Sequence, residues 1–306
     1  MAIDFDSLTL AVLGVLSLRQ IFAQNTDIPI PAPWRYIFYD KKSDSQPVLC
    51  RRRHELNKAM AEGYDGQEPI DVWLGIAARN IKFYPGGLTH GSANKRIESK
   101  YFIDTLAASY KDRDLDAMVF IIRKLIQSKM DEIGDIDFIL CRKNGNTKLA
   151  ERVHGVAGPE TTLICYHDKR SGFPMYAHDA VEYLNSDYEN IDRLREAADE
   201  RDSSYKLNGI VIDCSVSSAD GLDTMIKKFN EMVGRNGLNI NPVKHAFVMH
   251  THKIFDDTSI SFKLHRFVDM DEEIRRLICD ASNKGTKEAY KQVKKYLKSQ
   301  KLYHPI

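Results

Sequence analysis

The sequence predicts an α/β fold: a mostly parallel sheet flanked by helices, with helical N- and C-terminal additions. Three observations carry this expectation. Four apolar, β-rich runs occur at Ile136–Cys141, Thr161–Tyr166, Leu207–Asp213 and Lys244–His250. Helical patterns lie before or between them, at Leu115–Lys129, Thr147–Val153, Asp179–Asp199 and Leu222–Val233. Strands alternating with helices argue for a parallel sheet covered on both faces. The chain has 306 residues and is 43% hydrophobic, enough to bury a sizeable core.

Residues 1–75 read as an irregular, partly helical addition. A helix is expected over residues 7–24, capped by Asp6 or Ser7. Its apolar run, Leu8–Leu18, follows Asp4 and Asp6 and stops at Arg19, well short of a membrane span. Pro29, Pro31 and Pro33 break any helix that follows. A strand is expected at Trp34–Tyr39 and a helix at Glu55–Glu62. Residues 76–255 form the expected α/β domain. Residues 256–306 form a Lys-rich tail with helices near Asp271–Ala281 and Thr286–Leu302. No Pro/Gly/Ser linker separates these parts, so one unit with additions is expected.

Composition excludes several classes of function. The formal net charge is +1, which gives no global electrostatic case for nucleic acid or membrane. Cys50, Cys141, Cys165, Cys214 and Cys279 are odd in number and contain no C-x-x-C pair, so neither a disulfide framework nor a zinc knuckle is indicated. That cysteine usage fits a reducing compartment, and the expected location is cytoplasmic. Walker A, G-x-S-x-G and H-E-x-x-H patterns do not occur.

Chemistry is expected beyond the carboxyl ends of the strands, where ligands bind in such sheets. The run Gly209-Ile210-Val211-Ile212 leads to Asp213, then to the small-residue loop Cys214–Gly221 and an amphipathic helix. A small-residue loop at a helix N-terminus offers unpaired N–H groups and the positive dipole end to a phosphate. Asp213 is one step away and suited to sugar hydroxyls. Arg142 and Lys143 follow the strand Ile136–Cys141 and precede a glycine-bearing turn, an arrangement suited to pyrophosphate. Lys169 and Arg170 follow Thr161–Tyr166 and are further phosphate contacts. His250 and His252 end the fourth strand at a spacing that can chelate zinc, or they contact a bound base or phosphate, or they are a polar strand end.

These segments, with Ser99-Lys100-Tyr101-Phe102-Ile103-Asp104 upstream, resemble four motifs of the type I phosphoribosyltransferases, in the order found in the orotate branch. The resemblance spans about residues 80–255. It implies a phosphoribosyltransferase-like fold and a ribose 5-phosphate ligand, either phosphoribosyl pyrophosphate or a nucleotide. By resemblance, the phosphate rests on the amides of Ser217, Ser218, Ala219, Asp220 and Gly221. Asp213, Lys169 and Arg170 make the catalytic set, and Arg142 and Lys143 meet the pyrophosphate. It also implies Mg²⁺ with phosphoribosyl pyrophosphate, and a homodimer. Three features depart from the pattern. Cys214 replaces a second acid, Asp220 sits at the loop's end, and the Lys-x-His-Gly lid segment is absent.

Two functions follow. One is a transferase that makes or breaks an N-glycosidic bond. The other is a catalytically impaired nucleotide-binding sensor, or an effector subunit of a larger protein or nucleic-acid assembly. Residues 284–306 hold seven Lys against Glu288 over an apolar stripe of Tyr290, Val293 and Leu297. That stripe is a solvated helix, or it docks on an acidic helix, or its basic face meets nucleic acid.

Overall fold

The computed structural model describes residues 63–64, 66–90, 97–143, 147–157, 160–166, 188–189, 191–202, 204–217, 219–254, 258 and 260–306. All of them belong to one compact unit. The expected helix at 7–24, strand at 34–39 and helix at 55–62 lie outside these residues.

Helix α1 (Pro69–Asn80) opens the described chain. Its proline sits in the first turn, where a missing N–H costs nothing. A bulged antiparallel hairpin follows, β1 (Ile81–His90) with β2 (Ile97–Ile103). Then come α2 (Thr105–Ser109), α3 (Asp112–Gln127), the single turn α4 (Met130–Ile133) and β3 (Phe138–Arg142). They lead to α5 (Thr147–Ala157), β4 (Thr162–Tyr166), β5 (Tyr188–Glu189) and α6 (Ile191–Asp199). The chain closes with β6 (Gly209–Val216), α7 (Asp220–Arg235), β7 (His245–Thr251), β8 (Lys263–Asp269), α8 (Glu272–Lys284) and α9 (Lys287–Ser299).

The main sheet runs β5-β4-β3-β6-β7-β8. Strands β3, β4, β6, β7 and β8 are parallel, and β5 pairs antiparallel with β4. The mostly parallel α/β sheet is the one the alternating pattern predicts. Its strands alternate between two cores. Ile139, Ile210, Ile212, Cys214 and Phe247 face the core built by α1, α3, α8 and α9. Phe138, Leu140, Val211, Ala246 and Val248 face the core built by α6 and α7. Both faces are covered, so the strands read as continuous apolar runs.

Strand β8 was not among the runs singled out, and it extends the sheet beyond residue 255. Its sequence KLHRFVD carries Lys263, His265, Arg266 and Asp269. Their charges mask the period, and β8 lies at the outer edge of the sheet order. Helix α9 buries Ala289, Val293 and Leu297 in the α1/α3/α8 core. Lys294 of α9 also pairs with Glu68 and with Asp71 at the start of α1. The tail's apolar stripe is therefore covered by the chain itself.

Candidate functional site

The connections out of β3 lead to β4 on one side, while β6 lies on the other. The sheet order thus reverses between β3 and β6, and the crevice beyond their carboxyl ends is the position at which open α/β sheets take ligands. Arg142 ends β3 there. Asp213 lies on β6, on the same face as Val211, the α7 face.

The two side chains meet. Arg142 Nη2 lies 2.6 Å from Asp213 Oδ2. Asp213 is 1% exposed, and the Arg142 side chain keeps 23% of its surface in solvent. Burying a carboxylate this deeply requires a paired cation. The guanidinium also reaches the first turn of α7. A Cβ on Gly221 would lie 2.7 Å from Arg142 Nη1, so a side chain there would shift the guanidinium. The chain enters α7 through Ala219 at φ 59°, ψ −4°. A left-handed alanine costs roughly 1 kcal/mol, and it makes a sharp turn into the helix.

The strand runs further than its sequence suggests. β6 continues through Cys214 and Ser215 to Val216, pairing Ser215 with His250 and Val216 with Thr251. The strand thus takes in the first three residues of the expected loop, and α7 takes in its last two, Asp220 and Gly221. Ser217, Ala219, Asp220 and Gly221 stand at the mouth of α7, and Ser218 lies outside the described residues. Cys214 is fully buried beside Ile210 and Ile212, in the core away from α7. Burial pushes its thiol well above the ordinary range, and the Asp213 carboxylate adds to that. It is a core side chain, on the opposite face of the strand from Asp213.

The cationic residues divide. Arg142 is at the site. Lys143 follows directly, its backbone N–H donating to Tyr166 O at 2.7 Å, which joins the ends of β3 and β4. Lys169 and Arg170 lie outside the described residues. Lys228 of α7, which the sequence reading did not pick out, donates to the Tyr166 hydroxyl at 3.2 Å. Its position on α7 next to Phe229 gave no signal beyond an ordinary surface lysine.

The upstream segment has mainly structural roles. Ser99 Oγ donates to Glu272 Oε2 at 2.7 Å, tying the hairpin to α8. Asp104 caps α2 by accepting from the Ala107 N–H at 2.8 Å. Phe102 stacks on His252, with ring centroids 5.4 Å apart and 11° between planes. His252 Nε2 lies 3.2 Å from Ser215 Oγ, which lies 3.3 Å from Thr105 Oγ1. His250 is buried edge-on to Trp73 and to His252. Neither of its ring nitrogens has a hydrogen-bond partner among the described residues. Burial, and then the nearby Arg275, take its pKa down to about 3. Asp256 and Asp257, near in sequence, lie outside the described residues.

Mg²⁺, which the family resemblance implies, asks for one or two carboxylates beside ligand phosphates. Asp213 is engaged by a guanidinium, and Cys214 points into the core. Asp213, paired with Arg142, and the core-facing Cys214 thus do not supply Mg²⁺ with the pair of acids that the resembling pattern places there. Among the described residues no helix is long and apolar enough to cross a membrane.

No family model matches the chain, and no curated protein matches it. Among solved structures, it is similar to the orotate phosphoribosyltransferase of Mycobacterium tuberculosis at 11% identity. That match covers 65% of this chain and 94% of the other, with a TM-score of 0.40. It is similar to the orotate phosphoribosyltransferase of Aeropyrum pernix at 13% identity, over 64% and 90% of the two chains, with a TM-score of 0.41. It is also similar to the UMP synthase of Leishmania donovani at 12% identity, over 85% of this chain and 47% of that one, with a TM-score of 0.43.

Proposed function

We propose that the α/β domain binds a phosphorylated ribose ligand, phosphoribosyl pyrophosphate or a nucleotide, in the crevice between β3 and β6. One observation carries this reading: the Arg142 guanidinium is held between Asp213 and the first turn of α7. A planar cation and a helix N-terminus then face one volume, and each favours an anion there. Asp213 neutralises the cation until a phosphate takes over part of that task. Asp220 and Asp223 in the first turn of α7 oppose an anion. Lys227, 2.6 Å from Asp223, offsets one of them.

The engagement of Asp213 favours binding without turnover, as in a nucleotide sensor or an effector subunit. Transfer at the N-glycosidic bond is the second reading. It is favoured by the carboxylate retained on the α7 face of β6, which suits ribose hydroxyls once phosphate draws Arg142 away.

A thermal-shift titration with phosphoribosyl pyrophosphate and with nucleoside monophosphates, each with and without Mg²⁺, tests the reading. Tm is expected to rise with ligand concentration, by the mass-action stabilisation of a folded state that alone binds. An unchanged Tm at millimolar concentrations of all these ligands would contradict it. Product formation with candidate bases separates transfer from binding.

A further inference from the structure

At the opposite end of the sheet, three side chains converge that the switch-point site does not use. His245 opens β7, His265 lies on β8, and Glu132 projects from α4. Their ligand atoms all lie within 4.8 Å of one another. His245 Nδ1 is 3.0 Å from His265 Nε2 and 3.9 Å from Glu132 Oε1.

The surroundings fix the two rings. His265 stacks on Phe247, with centroids 4.6 Å apart and 17° between planes, and on His245 at 5.3 Å and 12°. Register places Lys263 opposite His245, and His265 opposite Phe247. Two imidazole nitrogens that face each other can share a single proton, so one lone pair stays aimed at the other ring.

We propose that Glu132, His245 and His265 bind one divalent cation of the zinc class, clipping α4 to the amino-terminal ends of β7 and β8. Two imidazoles and a carboxylate are a donor set that zinc takes, with water in the fourth place. Zn–N bonds of about 2.0–2.1 Å put two tetrahedral ligand atoms roughly 3.3 Å apart, close to the separation of the two rings. The harder cations Mg²⁺ and Ca²⁺ prefer all-oxygen sites, and the affinity order of N/O sites favours the late first-row metals. One competitor is visible. Lys263 Nζ sits 2.6 Å from Glu132 Oε1, in an exposed pair that the cation displaces.

That competitor supplies a test which a purely structural histidine pair would not pass. Full-length protein is stripped with a chelator and titrated with Zn²⁺ against a chromogenic zinc indicator. The visible absorbance of the Co²⁺ form reports the ligand set. One equivalent is expected to bind at micromolar free Zn²⁺. His245→Ala and Glu132→Gln are each expected to lower affinity by about tenfold or more, and Lys263→Met to raise it. Glu132 and Lys263 are solvent-accessible, so their variants are expected to fold. The absence of an equivalent bound below about 100 μM free Zn²⁺ would overturn the proposal. So would binding that both ligand substitutions leave unchanged, since the metal would then be held by other residues.

Discussion

Arg142 and Asp213 lie 71 residues apart, and each explains the other's position. Removing Arg142 takes from a buried carboxylate the cation that pairs with it. Arg142→Ala is therefore expected to destabilise the fold by about 3–5 kcal/mol in urea unfolding. Cys214 invites the opposite substitution, restoration of the acid that the resembling family carries. Because its thiol lies in the core, Cys214→Asp is expected to cost at least about 3 kcal/mol and to confer no Mg²⁺ dependence on ligand binding. A stable, Mg²⁺-responsive Cys214→Asp protein would place that side chain in the crevice instead. At His250 the sign of the pH effect follows from burial. Its folded pKa, about 3, lies below the unfolded value, so the unfolded state takes up the proton first. Among the described residues, His252 and Arg275 are polar groups beside it. Stability is full above about pH 6.5 and falls as pH drops towards 3, by about 1.4 kcal/mol per unit at most for this one group. His250→Leu should flatten that slope between pH 6 and 4 and stabilise the protein at pH 7, because it removes an orphaned polar ring. An unchanged slope would show that the ring finds a partner in solution. At this scale the sequence made Asp213 and Arg142 visible as strand-end charges. Their pairing was hidden, because nothing local reveals a contact across two strands.

Elements were far more legible, because hydrophobic period is a local property. The parallel strands β3, β4, β6 and β7 and the helices α3, α5 and α7 fall on the apolar runs and on the three-and-four spacings. The departures have physical causes. Asp213 looked like the end of a strand because buried acids are rare, whereas the ladder continues to Val216 once Arg142 neutralises it. Helix α1, which the sequence reading did not single out, begins at Pro69, a residue favoured in a first turn. β8 is an edge strand whose charges hide its register. The pairing of β3 with β6, which makes the crevice, depends on Gly209. Phe138 lies opposite it in register, and a Cβ at 209 would land inside the Phe138 ring. Gly209→Ala is expected to cost about 1–3 kcal/mol by overpacking, read as a lower urea midpoint. A neutral result would mean that β3 and β6 approach less closely than described.

At the scale of the molecule, the Lys-rich tail is a structural layer. α9 closes the core against α1 and α8, and the ion pairs of Lys294 fasten it to Glu68 and Asp71. Deleting residues 284–306 is expected to expose that core and lower Tm sharply, beyond any loss of an anionic partner; a truncated protein with unchanged Tm would contradict this packing. The sheet order then concentrates charge chemistry at the switch point. Phosphate binding is expected where Arg142 meets the first turn of α7, beside Gly221. Calorimetric titration of wild type and Gly221→Leu with phosphoribosyl pyrophosphate tests this most directly. The substitution leaves the strands' own residues in place, while its Cβ, 2.7 Å from Arg142 Nη1, pushes the guanidinium away from the mouth of α7. Saturable binding by the wild type, weakened at least about tenfold (about 1.4 kcal/mol) in the variant, is the predicted result. Equal affinity of the two proteins, or no heat of binding in the wild type, would contradict the account.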